Sequence, residues 1–224
     1  MKYRKLLAIC LACIMIISAA TAAFADSFNA NNSESITLGA AEGLDEDLII
    51  TRTVNGNNIV VSVTDNNGNL LSEATNNGST ITVIDYSNPA NPVDVTDELE
   101  TEMGLTSNDM NDNIVDDMRS ITWGNWTSKT VTFKASGMTV AAIIAYLASA
   151  FVGVPLFVIS DLGNVFLNFA YKYATVKIRM RTGTDSNYQY AQEEITVWGH
   201  NERTSTKYKV YGPAVRTQKK SLNS

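Results

Sequence analysis

Apolar and polar positions fall into three successive patterns along this chain. The first is a set of short alternating runs at 48–54, 58–64 and 80–86, with a shorter one at 70–74. A period of two places alternate side chains on one face of a strand. Asn55-Gly56-Asn57, Asn66-Asn67-Gly68-Asn69 and Asn76-Asn77-Gly78 separate the runs. Asn-Gly pairs reach positive φ at low cost and signal hairpins, so the pattern predicts a small antiparallel meander over 46–87.

The second pattern is one long apolar stretch, 138–173, and Asp161 is the only charge between Lys134 and Lys172. Gly153 and Pro155 interrupt its middle, which predicts two helices with Pro155 at the first position of the second. Each arm is about 16 residues, or ~24 Å, short of the ~30 Å hydrocarbon core of a bilayer. Read without the interruption, 138–160 is long enough to span. In the second arm Asp161, Asn164, Asn168 and Lys172 form a polar stripe at helical spacing, opposite Leu162, Val165, Phe166 and Phe169. In the first arm Val140, Ile143, Ile144, Leu147 and Phe151 share one side. Ala141, Ala145 and Ser149 make a small-residue ridge on another, along which a partner backbone approaches closely. Two readings follow: a buried αα-hairpin, or a hairpin that leaves its sheet and enters lipid.

The third pattern returns to period two, now with cations on the polar positions. At 129–135, Val131, Phe133 and Ala135 alternate with polar residues. At 175–181, Val176, Ile178 and Met180 point one way and Lys177, Arg179 and Arg181 the other. The run 188–198 slips phase at Glu193-Glu194, predicting a bulge there. At 206–211, Lys207 and Lys209 again face outward. Gly212-Pro213 is expected to end that strand, with 214–224 a loose basic tail. The expected fold class is α+β: the meander, then a β-αα-βββ domain (123–213) whose apolar hairpin packs on an antiparallel sheet.

The remaining segments carry their own signals. Lys2, Arg4 and Lys5 precede an apolar run to Ala20, and Ala23-Phe24-Ala25 is a small-x-small site. Residues 1–25 therefore read as a secretory signal peptide cut after Ala25, and the mature protein as secreted. Residues 26–45, rich in Asn, Ser and Ala, are expected to be a disordered lead-in. Residues 88–122 are expected to be an acidic linker with short helices, stiffened by Asn88-Pro89-Ala90-Asn91-Pro92. Both cysteines, Cys10 and Cys13, lie in the signal, so the mature chain has neither disulfide nor thiol chemistry.

Charge sharpens this division. Residues 26–118 carry 18 Asp and Glu against Arg52 alone, and residues 119–224 carry 13 Lys and Arg against five acids. Such asymmetry suggests an acidic segment shielding a basic one, or separate partners for each half, against the plain reading of solvated polar surface.

Candidate chemistry is sparse. His200 is the only histidine, no Gly-x-Ser-x-Gly turn is present, and histidine-based zinc sites are ruled out by the count. No Gly-rich phosphate loop occurs, and Asp116-Asp117 on a helix would point in different directions. Asp65, Asn67 and Asn69, and likewise Asp109, Asn111 and Asn113, resemble calcium-loop spacings, but both depart from the EF-hand pattern and read as turn or cap residues. No enzyme, cofactor or metal is expected. Basic strands with Tyr188 and Tyr190 are compatible with a nucleic-acid backbone. In an exported protein the opposite charge expected is an anionic membrane or cell-envelope polymer, and no nucleic acid. The membrane-contact candidates are Ile143, Ile144, Leu147, Phe151, Phe157 and Phe166 with Lys177, Arg179, Arg181, Lys207 and Lys209, supported by Trp123, Trp126 and Trp198 as interface-favouring residues.

The arrangement resembles the large secreted bacteriocins of the geobacillin type and related exported proteins of Gram-positive bacteria. The features that carry this resemblance are the signal ending Ala23-Phe24-Ala25, the polar hairpin region with Thr53-Val54-Asn55-Gly56, and a tryptophan-led second half containing an apolar helical pair. The resemblance implies antagonism of related bacteria through their envelope, and with it an immunity partner that this sequence does not identify. Its long acidic first half has no counterpart in that resemblance. The functional expectation is a secreted, non-enzymatic, bacteriocin-like protein acting through the hairpin, or else a secreted structural or interaction protein with the hairpin permanently buried.

Overall fold

The computed structural model describes residues 32–38, 47–96, 104–107, 121–202 and 206–221. The alternating runs of the first half form β2 (Leu48–Asn55), β3 (Asn58–Thr64), β4 (Leu70–Asn76) and β5 (Ile81–Asp85). With β1 (Asn32–Leu38) and β6 (Val93–Asp94) they make a six-stranded antiparallel sheet in sequence order. Gly56 closes the β2–β3 turn at φ 60°, a conformation that most side chains avoid. Strand β1 corrects the expectation that 26–45 is a disordered lead-in: 32–38 pairs with Leu48 to Val54 of β2. Ile36 and Leu38 point to the core, and Ser35 bonds Thr51 across the outer face at 3.1 Å.

The second sheet contains β7 (Gly104–Ser107), β8 (Thr122–Trp123), β9 (Thr127–Lys134), β10 (Tyr173–Thr184), β11 (Tyr188–His200) and β12 (Tyr208–Ser221). Its order is β12-β11-β10-β9-β7, with β8 against the far end of β10. Helices α1 (Val140–Ala150) and α2 (Leu156–Leu167) connect β9 to β10. The α+β class and the order β-αα-βββ therefore hold.

Several boundaries differ from expectation. Strands β6 and β7 lie inside 88–122 and β8 starts at its end, so that stretch supplies sheet edges as well as linker. The helices expected there fall outside the described residues, as do the signal peptide and the second candidate calcium loop. Strand β12 runs through a cis Gly212-Pro213 bond to Ser221, so 214–221 is strand rather than loose tail. The β10–β11 register passes unbroken across Glu193 and Glu194. The irregularities lie instead between β11 and β12, from Ile195 to Trp198. Both glutamates keep phase, one facing in and one facing out.

The largest departure concerns layering. Helix α1 lies on β2–β5 of the first sheet, and its Tyr146 and last carbonyl meet Phe133 and Lys129 of β9 in the second. Phe133 of β9 meets Tyr146 of α1 edge-on at 5.1 Å and Phe166 of α2 at 5.8 Å. One apolar cluster joins Ile50, Val61 and Val83, the hairpin, and Val131, Val176 and Ile195. The meander and the β-αα-βββ unit thus share a core, sheet–hairpin–sheet, rather than forming separate regions.

Candidate functional site

The hairpin residues proposed for membrane contact lie inside this core. Ile143, Ile144, Leu147, Phe151 and Phe166 are buried, and Phe157 is half-buried. Helix α1 is buried at every position from Ala141 to Ala150. Among the described residues no helix is long and apolar enough to cross a membrane.

Polar contacts hold both ends of α1. At its start Thr139 Oγ1 accepts the Ala142 N–H at 3.2 Å and donates to Asp85 Oδ2 of β5 at 2.8 Å. At its end three successive carbonyls, left without helical partners, are met by side chains from both sheets. Arg52 Nη1 of β2 donates to Ala148 O at 3.3 Å, and Asn76 Nδ2 of β4 donates to Ser149 O at 2.8 Å. Lys129 Nζ of β9 donates to Ala150 O. Two cations thus sit at the negative end of the helix dipole. Burial lowers the pKa of both, and Glu34 opposes that effect at Arg52.

The hairpin corner is closed by one carboxylate of β1. Glu34 Oε2 accepts from Arg52 Nη2 at 2.7 Å, and Oε1 accepts the Leu156 N–H at 3.1 Å. Pro155 offers α2 no side-chain cap, so Glu34 supplies the anion that the N-terminus of α2 favours. Sequence reasoning noted Arg52 only as the lone base of 26–118. Its phase was the available signal: Arg52 alternates with Leu48, Ile50 and Val54, which places a charge on the buried face.

The basic candidates lie on the opposite side of the second sheet from the hairpin. Lys177, Arg179 and Arg181 share its outer face with Thr196, Glu194 and Gln192, their register partners on β11. Arg179 is buried, pairs with Glu194 at 3.3 Å and lies 4.7 Å from the Trp126 ring centre. Arg181 stacks on both Trp123 and Trp126, at 4.3 and 4.6 Å, and donates from Nε to Gln192 Oε1 at 2.6 Å. These two arginines are built into an aromatic cluster. Lys177 is half-buried, while Lys207 and Lys209 are exposed. The structure thus gathers Lys177, Arg179 and Arg181 on one face, and Lys209 opposite Trp198 at its margin. It does not bring these cations together with the apolar hairpin residues.

The polar stripe of α2 meets protein over part of its length. Asp161 pairs with Arg216 of β12, whose guanidinium lies 5.8 Å from the Phe157 ring centre. Asn168 and Lys172 reach solvent. On the inner face of β11, Glu193 is buried and accepts from Gln218 Nε2 at 3.4 Å. Burial pushes its carboxyl above the usual range, opposed by Arg216 among other contacts.

The other chemical candidates are absorbed structurally. His200 is fully buried at the end of β11. Nε2 lies 3.2 Å from Thr175 Oγ1, Nδ1 lies 2.9 Å from Glu202 O, and the ring stacks on Tyr173. Asp65 receives the side chain of Asn69 at 2.7 Å and the N–H groups of Asn67 and Asn69 at 2.8 Å each. Those bonds lower its pKa and organise the β3–β4 turn. Comparison with family models, curated proteins and solved structures gave no match.

Proposed function

We propose that this is an exported, non-enzymatic, bacteriocin-like protein that acts at anionic cell envelopes. In its resting fold, residues 138–173 are the core and not a standing membrane anchor. The observation that carries this reading is the covering of α1 by both sheets, with Arg52, Asn76 and Lys129 fastened to its last carbonyls. First contact then belongs to the exterior, where Lys207 and Lys209 are exposed toward one end of the second sheet and Trp123, Trp126, Arg179 and Arg181 cluster toward the other. Anionic lipid or wall polymer attracts such a surface, in a salt-dependent way.

The test is sedimentation of the mature protein with anionic and with neutral vesicles, and with purified wall polymer. Binding to an anionic partner should fall with added salt and with Lys207→Glu plus Lys209→Glu, while hydrogen exchange across 138–173 stays slow. Binding indifferent to charge, or absent from all partners, would remove the proposal. A second reading, hairpin entry into lipid, is favoured by one feature: Asp161 is the only charge between the two arms' flanking lysines. Dye release from anionic vesicles, with loss of exchange protection in 138–173, is its signature.

A further inference from the structure

The edge of the second sheet formed by β12 is unlike the other described edges. It is 14 residues long, and among the described residues no strand pairs with its outer side. Exposed strand edges carry unpaired backbone donors and acceptors, and proteins protect them with bulges, proline and lysine. Strand β12 carries those devices unevenly. The register shifts and Pro213 fall in its first half, between Tyr208 and Ala214. From Ala214 to Ser221 the pairing with β11 is regular, from Ile195 back to Tyr188, so the outer backbone groups of this half form an even, extended row.

Side chains along the strand define what fits that row. Tyr208, Val210 and Val215 are exposed at 55%, 39% and 45%, so half of the exposed large apolar residues described are on this strand. Val215, Thr217 and Lys219 project on the outer face, with Lys219 Nζ 3.7 Å from the Tyr188 ring centre. The β12 sequence contains Lys209, Arg216, Lys219 and Lys220 and no carboxylate. Pairing with a second copy of itself would place like charges side by side, which disfavours it.

We propose that the 214–221 half of β12 is a strand-addition site for an acidic, extended polypeptide segment. The partner's backbone would continue the sheet, its outer-face side chains being apolar beside Val215 and acidic beside Lys219. This inference is independent of the envelope reading, because it concerns the backbone of the 214–221 half of β12 and a protein partner, and not Lys207 and Lys209.

The experiment leaves the protein unaltered and varies the probe. An acetylated peptide of about eight residues, the length of an ordinary strand, with Val and Glu together on one face and Thr on the other, is titrated into the mature protein. Two further peptides carry N-methyl groups on alternate residues, one on each edge. Strand addition uses one edge only, so one N-methyl series should bind at least about tenfold more weakly than the parent while the other is nearly unchanged. Amide exchange in 214–221 should slow with the parent peptide. Equal affinity of all three peptides, or equal loss in both N-methyl series, would overturn the proposal in favour of plain charge attraction. Competition by polyphosphate that leaves no edge preference would do the same. A dimer by sedimentation equilibrium that excludes the peptide would assign the edge to a second copy and overturn it as well.

Discussion

Replacing Glu34 by glutamine isolates the charge at the hairpin corner. The amide keeps an oxygen for the Leu156 N–H and loses only the anion beside Arg52, whose side chain is 0% exposed. Breaking a fully buried ion pair costs about 3–5 kcal/mol, because the remaining charge is left in a poor environment. The Glu34 side chain is 41% exposed, so water screens part of the interaction. A loss of about 2 kcal/mol is the expected result. In urea, with a slope of about 2 kcal/mol per molar, the midpoint falls by about 1 M. A double-mutant cycle with Arg52→Met supplies the control. Once the cation is gone, adding Glu34→Gln should cost under about 0.5 kcal/mol, which leaves a coupling of roughly 1.5 kcal/mol. A midpoint shift below about 0.2 M for Glu34→Gln, or the same cost in both backgrounds, would refute the claim that this pair closes the corner.

Other consequences are testable in the same purified protein. The raised pKa of Glu193 means that the folded state holds this proton more tightly than the unfolded chain does, even with Arg216 nearby. Its stabilising protonation is complete below the ordinary glutamate pKa and is lost as pH rises through the raised value. Glu193→Gln should therefore raise the thermal midpoint at pH 7.5 and make little difference at pH 4, with equal shifts at both pH values counting against it. Gly212 has φ 77°, and a Cβ there would collide with the Ile195 carbonyl, so Gly212→Ala should lower the urea midpoint by the equivalent of about 2 kcal/mol or more. The fragment 119–224 lacks the sheet that covers α1. It should show no cooperative transition by circular dichroism, and a sharp two-state melt would contradict the shared core.

Much of the fold was legible because short-range chemistry fixed it. Asn-Gly turns and period-two runs mark β2 to β5, and Gly153 with Pro155 marks the hairpin corner. The rest depended on contacts distant in sequence. The polar run around Glu34 became β1 because β2 offers it a pairing edge and Arg52 a counter-charge. Gly212-Pro213 did not end β12, because the extended pairing with β11 resumes at Ala214. The cationic face was read correctly from alternation at Lys177, Arg179 and Arg181. Its engagement was not, since stacking on Trp123 and Trp126 depends on how β8 and the start of β9 lie across β10. The apolar pattern of 138–173 is equally suited to a protein core and to lipid, and only the second covering sheet separates the two.

That covering also determines how any membrane entry must proceed. Fully burying a large apolar side chain is worth about 1.5–3 kcal/mol. Ile143, Ile144, Leu147, Phe151, Leu156, Ile159, Leu162 and Phe166 are all buried in the hairpin. Exposing them to water together would cost on the order of 12–24 kcal/mol, as much as or more than the ~5–15 kcal/mol that holds an ordinary domain folded. The hairpin therefore does not swing out as a local fluctuation. Its release amounts to global unfolding, with a bilayer replacing the two sheets as the apolar surroundings. Insertion should then follow stability: a loss of about 2 kcal/mol in Glu34→Gln raises the unfolded population roughly 30-fold, and slow dye release from anionic vesicles should accelerate by a similar factor. Binding through Lys207 and Lys209 should be unchanged in the same variant. Dye release from the wild type that is insensitive to Glu34→Gln and to sub-denaturing urea would show that the hairpin reaches lipid without the sheets coming apart, and the shared-core account of its restraint would fail.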